Sequence, residues 1–186
     1  MKFVALIFAL ACSATAFAEV ELGAIGSYHL NDQYNVTNIG APEMTKGKVG
    51  WSLGALALYP LSQNWKARSG LQWEEMKIEH TVYSSNTSVV NWENLLVPLD
   101  GQWTTPLGEL YIFGGFVFAL NINGPMGRPA WSDLRADIGA GYKLYSLSSA
   151  QLALELEYMA GIKSVSANPD ISMKMNILAA NIVAYF

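Results

Sequence analysis

Cysteine, histidine and long apolar runs are all scarce in this chain. The single cysteine is Cys12, and the only imidazole rings belong to His29 and His80. After residue 18, no apolar stretch reaches the roughly 20 residues that a transmembrane helix needs. These absences exclude a disulfide framework, paired Cys/His metal spacing and helical membrane spans from the rest of the chain. We therefore expect no metal site and no cofactor.

Basic residues are few as well. Eleven lysines and arginines stand against 15 acidic residues, and the chain has no Lys/Arg-rich run. Because nucleic-acid binding depends on basic patches, we expect no nucleic-acid partner.

The groups that could carry chemistry do not combine into a catalytic set. His29 and His80 fall near predicted strand ends, and neither stands at triad spacing from an acid and a hydroxyl such as those of residues 84–85. Glu74 and Glu75 are adjacent, so in a strand they point to opposite faces and form no carboxylate dyad. The sequence therefore predicts a protein that is not an enzyme and has no catalytic site.

The first 18 residues have the pattern of a secretory signal peptide. Lys2 supplies the positive charge, residues 3–11 form an apolar run, and residues 16–18 are a small-x-small cleavage site. We expect cleavage after Ala18, which leaves one mature domain over residues 19–186. The alternative is a lipoprotein signal with Cys12 as the lipidated residue, although Ala9 and Leu10, three and two residues before it, stand in the wrong order for such a signal.

Apolar and polar residues alternate along nearly all of the remaining chain, which is typical of strands with two unlike faces. Leu152, Leu154 and Leu156, for example, alternate with Ala153 and Glu155. Most segments match the roughly 9–11 residues that a tilted strand needs to cross a membrane. The eight predicted strands are 20–30, 47–59, 65–79, 90–103, 109–121, 133–145, 151–162 and 172–186.

The predicted connections alternate between short and long. Short turns are predicted at 60–64, 104–108 and 146–150, and long segments at 31–46, 80–89, 122–132 and 163–171. Transmembrane barrels show this order, with short periplasmic turns and longer outer loops. Together the strands and connections predict an all-β fold, an eight-stranded antiparallel transmembrane up-and-down β-barrel.

Charges within the polar rows indicate which face of the strands lies inside. Side chains just fill an eight-stranded barrel, so buried charges there must pair, and the mid-strand charges are five positive and five negative. We expect a structural charge network in the lumen that comprises Lys66, Arg68, Glu74, Arg135, Asp137, Lys143, Glu155 and Glu157, with Lys48 and Asp100 completing the balanced set.

The apolar rows carry two further signs of a membrane barrel. Aromatic residues lie near their ends, as in the interfacial girdles of such barrels. The chain ends at Phe186 in an alternating segment, where Ile182 and Phe186 resemble a C-terminal signal for insertion. Lys174 and Asn176 fall on the same face as Phe186, so we expect a bulge or a register change near Asn176.

Short segments in the middle of the chain resemble the porin-like outer-membrane β-barrel domain family. Residues 91–99 (NWENLLVPL) and 110–116 (LYIFGGF) look like one hairpin of that family, and residues 138–142 (IGAGY) look like its next strand. The resemblance implies a small eight-stranded barrel of the Gram-negative cell envelope without assigned chemistry. Pro98 within a strand predicts a bulge or a missing ladder bond.

We therefore expect an integral outer-membrane protein with a structural or surface-interaction role and no open pore. Two alternatives stay open: a narrow porin-like conduit for small solutes, and a soluble periplasmic lipocalin-like barrel that binds a ligand. The expected partners are outer-membrane lipids, the barrel-insertion machinery, and a surface partner that contacts the loops 31–46 and 122–132.

Overall fold

The computed structural model describes residues 20–38, 44–47, 49–82, 86–106, 108–123, 132–147, 150–162 and 171–186. None of these residues lies in a helix long and apolar enough to cross a membrane. The strands are β1 (Glu21–Asn38), β2 (Met44–Gly47), β3 (Trp51–Pro60), β4 (Trp65–Val82), β5 (Asn86–Thr104), β6 (Leu110–Asn123), β7 (Ser132–Leu147), β8 (Ala150–Gly161) and β9 (Ile171–Tyr185).

The strands close into an antiparallel barrel with eight strand positions. Successive strands pair with one another, and β1 completes the barrel by pairing with β9. β2 pairs with β4 directly beyond β3, so β2 and β3 share one position that is interrupted near Gly50. The predicted all-β, eight-stranded antiparallel barrel is therefore confirmed, including a strand for the Leu- and Ala-rich segment of β8.

The pairing is staggered around the barrel. Paired residues that start at Glu21 lead around the barrel and return to β1 at Asp32. Such a stagger accompanies the tilt of strands in a closed barrel. Because of this stagger, side chains that are far apart in the sequence meet inside the barrel. The paired residues between Glu21 and Asp32 on this path are Leu58, Arg68, Asp100, Gly115, Asp137, Met159 and Ile177.

The two ends of the barrel differ. At the turn end, residues 61–64 form a tight turn, Gly108 N donates to Thr105 O at 2.9 Å, and Gly108 adopts a φ of 77° that favours glycine. At the opposite end, called the loop end here, β1 continues to Asn38, and β4 and β5 leave only residues 83–85 between them. The predicted loops 31–46 and 80–89 are therefore mostly strand, which corrects the sequence-based boundaries.

The β4–β5 ladder is interrupted beside Pro98. Pairs are present from Trp65 to Ser69 and again from Gln72 onward, but Gly70 and Leu71 lack partners across from Pro98. Proline has no backbone N–H to donate, so the ladder loses bonds on this side without a change of register. The expected missing ladder bond is thus observed.

The irregularity expected near Asn176 is a register shift in the β1–β9 ladder, opposite Ala179 and Leu178, and not a bulge in β9. β9 keeps its alternation from Met175 to Tyr185, and Lys174 is simply exposed at the loop end. The irregularity lies on the neighbouring strand, where the β1–β9 register shifts between His29 and Asn31.

Inward side chains fill the barrel with two apolar clusters. The cluster nearer the loop end includes Met76, Trp92 and Ile177, and the cluster nearer the turn end includes Ile25, Phe113 and Tyr185. Outward rows remain apolar and exposed, and Leu53 and Ile138 keep 61% and 65% of their surface accessible. The buried charged residues lie inside the barrel among the apolar clusters.

Candidate functional site

The polar rows of β4, β5, β7 and β8 point into the barrel and form two charged clusters. Alternation places every second residue of these strands inside, and the staggered pairing sets the level of each. We name the clusters by their arginines. The buried polar residues of the interior include His29, Arg68, Glu74, Asn94, Asp100, Asp133, Arg135, Asp137, Glu155, Glu157 and Asn181.

The Arg135 cluster lies nearer the loop end and joins β7 to β4. Arg135 donates from both terminal nitrogens to the Glu74 carboxylate, at 2.8 and 3.0 Å, and from Nε to Asp133 at 2.8 Å. Asn94 on β5 donates to Glu74 Oε2 at 2.7 Å. The Nε2 atom of His29 lies 3.7 Å from Glu74 Oε1. One guanidinium thus holds two carboxylates, which is the geometry that repays burial of a charge.

The Arg68 cluster lies nearer the turn end and joins β4 to β8. Arg68 donates to both oxygens of Glu155 at 2.9 and 3.0 Å, and its guanidinium carbon lies 4.1 Å from the centroid of the Phe113 ring. The hydroxyl groups of Tyr111 and Tyr185 donate to Glu155 Oε1 at 2.7 and 3.3 Å. Both carboxylate oxygens of Glu155 therefore accept hydrogen bonds.

Asn181 connects Glu155 to a second glutamate. Its Nδ2 donates to Glu157 Oε2 at 2.7 Å and to Glu155 Oε2 at 3.2 Å. Glu157 is buried beside Glu155 on the same face of β8. Asp100 approaches the same guanidinium, with 3.7 Å between its Oδ2 and Arg68 Nε. Four carboxyl groups thus surround a single arginine, once Asp137 near Asp100 is included.

The structure places the sequence-predicted lumen residues in three groups. Glu74 and Arg135 belong to the Arg135 cluster, whereas Arg68, Asp137, Glu155 and Glu157 belong to the Arg68 cluster. Lys66 instead pairs with Glu21 at the turn end, where both side chains are partly exposed. Lys143 is half-buried near Lys66 and Glu21. Lys48 lies outside the described residues.

The expected balance of buried charge is wrong. Among the described residues, the buried charged groups are two arginines against six carboxyl groups. The three lysines that the balance required are at the turn end or outside the described residues. A long ammonium side chain near a barrel opening reaches water, so lysines of the inward rows need not be enclosed.

His29 also differs from its expected position. It was predicted at a barrel rim, but only 2% of its surface is exposed, and it faces Glu74 in the interior. β1 continues beyond His29 to Asn38, which places the histidine well inside the barrel. The side chain of His80 and residues 83–85 lie outside the described residues.

Sequence reasoning missed the neutral members of the clusters. Hydrogen bonds to the buried carboxylates are donated by the neutral side chains of Tyr111, Tyr185, Asn94 and Asn181. Alternation placed each of them on an inward row, which was a signal for burial but not for a partner. No group of three or more His, Cys, Asp or Glu among the described residues is arranged to hold a metal ion.

No family model matches the chain, and no curated protein sequence matches it significantly. Solved structures do match. The outer membrane protein OprG from Pseudomonas aeruginosa is 13% identical, with a TM-score of 0.56 over 89% of this chain and 93% of that one. The N-terminal β-barrel domain of Pseudomonas aeruginosa OprF is 14% identical, with a TM-score of 0.54 over 91% of this chain and all of that one. The chain therefore has the fold of small outer-membrane β-barrels, as the porin-like resemblance implied.

Proposed function

We propose that the chain is an integral outer-membrane β-barrel protein with a structural or surface-interaction role and no open pore. The observation that carries the closed interior is the packing of side chains across it. Arg135 and Glu74 are fully enclosed, and Met76 and Tyr111, on either side of them, are fully enclosed as well. Because an eight-stranded barrel is just wide enough for its side chains, solutes find no free path through this one.

The outer surface supports a lipid environment. Large apolar side chains are exposed on all eight strand positions, for example Leu22, Leu53, Leu71 and Leu99. A belt of this extent far exceeds the few hundred square ångströms of apolar patch that soluble monomers expose. Trp51 and Tyr59 end the outward row of β3 and stand about 26 Å apart along the strand, which is about 20 Å along the barrel axis for a strand tilted by about 40°. Aromatic side chains thus border both ends of this outward row, as in the aromatic girdles of membrane barrels.

Export and insertion complete the proposal. Residues 1–18 direct secretion, and cleavage after Ala18 releases the barrel into the periplasm. Ile182 and Phe186 point outward on the last strand, with 61% and 68% of their surfaces exposed, where insertion machinery can read them. Surface partners contact the loop end through residues 31–46 and 122–132, because interaction sites concentrate on loops held by a rigid scaffold.

Membrane fractionation tests the location. The native protein should be recovered in the outer-membrane fraction, begin at Glu19, and migrate differently on a gel before and after boiling. Recovery in the soluble periplasmic fraction would instead support the lipocalin-like alternative and reject the membrane proposal.

Conductance in planar bilayers tests the closed interior. The wild-type barrel should show no steady conductance after its insertion has been verified by protease protection in matched vesicles. A steady single-channel conductance would contradict the closed interior and favour the narrow conduit.

The proposal includes no catalysis, since His29 is enclosed beside Glu74 and out of reach of a lipid substrate. Purified barrel should release no fatty acid from phospholipid vesicles above the rate of a His29→Ala variant. A lipid-hydrolysing activity that disappears in that variant would overturn this part of the proposal.

A further inference from the structure

Asp100 and Asp137 lie on either side of a glycine in the barrel wall, and both side chains are buried inside the barrel. The register joins Asp100 on β5 to Gly115 on β6, and Gly115 to Asp137 on β7, so the three residues share one level. Strands two positions apart are about 10 Å from each other, and a side chain between them would separate the carboxyl groups. Gly115 has none, and a Cβ built there would lie 3.0 Å from Asp100 Oδ1. The register and the missing side chain of Gly115 therefore leave the two carboxyl groups free to approach one another in the interior.

Neither carboxyl group receives a full set of donors from the protein. Asp100 and Asp137 are 7% and 6% exposed, and Oδ1 of Asp100 and both oxygens of Asp137 have no hydrogen-bond partner. The backbone amides of Asp137 and Gly115 are close to the Asp137 carboxyl group, but neither makes a hydrogen bond to it. Buried acceptors without donors are rare and unfavourable. A proton on one of the two carboxyl groups would supply the missing donor.

The nearby cation is already engaged. Arg68 spends both terminal nitrogens on Glu155, and only its Nε faces Asp100, at 3.7 Å. The remaining charged neighbours, Glu155 and Glu157 on β8, are of the same sign as the pair. β6 contributes Gly115, which carries no charge, and β9 contributes the amide of Asn181. Two ionised carboxylates in contact here would face strong repulsion with no cation between them.

We propose that Asp100 and Asp137 share one proton, as a carboxylic acid that donates to a carboxylate. The proton removes one negative charge and turns two unsatisfied acceptors into a donor and an acceptor. Hydrogen bonds between a carboxylic acid and a carboxylate are short and strong. The shared proton fastens β5 to β7 over the glycine of β6, at the level where Arg68 fastens β4 to β8. The pair of aspartates is thus a proton-binding site among the packed side chains of the barrel interior.

Infrared spectroscopy of the whole barrel, refolded in micelles with isotope-labelled aspartate carboxyls, tests the site directly. At neutral pH a labelled carboxylic-acid carbonyl band should be present, and it should disappear as the pH becomes alkaline. The label separates aspartate from Glu157. Absence of the labelled band at neutral pH would overturn the proposal.

Variants assign the band. Asp100→Asn and Asp137→Asn should each abolish it, because one partner then has no carboxyl and the other becomes an ordinary carboxylate. Asp133→Asn is the matched control, since Asp133 is equally buried but receives Arg135 Nε at 2.8 Å. The control should keep the band. A band that survives Asp100→Asn and Asp137→Asn, or that disappears in Asp133→Asn, would reject the assignment.

Unfolding at different pH values gives a second readout. The folded barrel holds a proton that the unfolded chain releases, so stability should fall as the pH rises. In Asp137→Asn the amide N–H donates to Asp100 at every pH, and this alkaline loss should be reduced. An equal alkaline loss in both proteins would contradict the shared proton. Disappearance of the infrared band when Mg²⁺ or Ca²⁺ is added at neutral pH would identify a cation site instead.

Discussion

Arg135 binds two buried carboxylates at once, so we expect its loss to reduce the free energy of unfolding more than the loss of any other interior residue. In an Arg135→Ala variant, Glu74 and Asp133 would remain buried without their guanidinium. Breaking a buried pair by removing one partner costs about 3–5 kcal/mol, because an uncompensated charge stays behind. We expect a loss of that size in the free energy of unfolding, measured by urea titration of the barrel in micelles.

Lys66→Ala is the control for this variant. Lys66 pairs with Glu21 at the turn end, where about a quarter of each side chain is exposed. Ion pairs in contact with water contribute only about 0–1 kcal/mol, so this variant should unfold nearly as the wild type does. Equal losses in both variants would show that the enclosed position of Arg135 has no special weight.

Leu154 tests the outward face of a single strand. It points away from the interior between the buried residues Ala153 and Glu155. If the belt is lipid-exposed, Leu154→Arg should cost about 2–4 kcal/mol of unfolding free energy in lipid vesicles. Leu22→Arg, near the turn end of β1, should cost only about 0–1 kcal/mol. A cost independent of depth would contradict a bilayer around the barrel.

The direction of a side chain could be predicted from the sequence, but its partner could not. Alternation correctly placed Arg68 and Glu155 on inward rows, since strand geometry is local. That Arg68 meets Glu155 depends on the stagger of the closed barrel, which joins residues far apart in the chain. His29 was misplaced for a related reason, because the polar residues after it concealed the continuation of β1.

Strand ends at the loop end show the same limit at the scale of elements. Residues 31–38 are polar except for Tyr34 and Val36, so their period of two is weak. Their strand conformation comes from pairing with β9, from Asn31 opposite Leu178 to Asn38 opposite Ile171. Hydrophobic patterning predicts a strand only where one face is buried.

The lengths of the strands alter what a deletion will do. Removing residues 33–44 would take away the part of β1 that pairs with β9 between Ile171 and Asn176. We expect this deletion to lower the yield of folded barrel, measured by the gel shift on boiling. Replacing residues 125–130 by a short turn should preserve the yield, because β6 ends at Asn123 and β7 begins at Ser132. The opposite ranking would mean that the β1 extension is dispensable.

The glycines of β7 make room for aromatic rings of β6. Gly139 lies opposite Phe113 and Gly141 opposite Tyr111, and both rings lean over the glycines. A Cβ built on Gly141 would lie 2.2 Å from Tyr111 Cζ. This contact gives the IGAGY segment a physical role, because a ring that covers a glycine restores packing in a strand.

Gly141→Ala should therefore destabilise the barrel by about 1–3 kcal/mol, since the ring must leave the position from which it bonds Glu155. Gly26→Ala is the control, because a Cβ there would meet only Leu53 Cδ1 at 3.9 Å. Urea unfolding compares the two. A larger effect at Gly26 would contradict the proposed packing role of Gly141.

At the scale of the whole molecule, assembly and stability should depend on different residues. Phe186 has an exposed side chain, while its backbone N–H bonds Leu22 O at 2.8 Å whatever the side chain is. Phe186→Ala should lower the amount of barrel assembled in cells several-fold. Urea unfolding of the refolded variant should stay within about 1 kcal/mol of the wild type. Leu110→Ala, also exposed at the turn end, should affect neither quantity. Equal assembly of both variants would contradict a C-terminal insertion signal.

Pairing of β1 with β9 has a kinetic consequence. Gly23 on β1 pairs with Tyr185 on β9, so the ladder that closes the barrel joins residues near opposite ends of the described chain. Contacts with such large sequence separation form slowly, because a long loop must close before they are made. Until β9 docks, β1 and β8 each present an unpaired edge, and open edges template aggregation. The docking rate of β9 therefore sets how long these two edges stay exposed while the barrel folds.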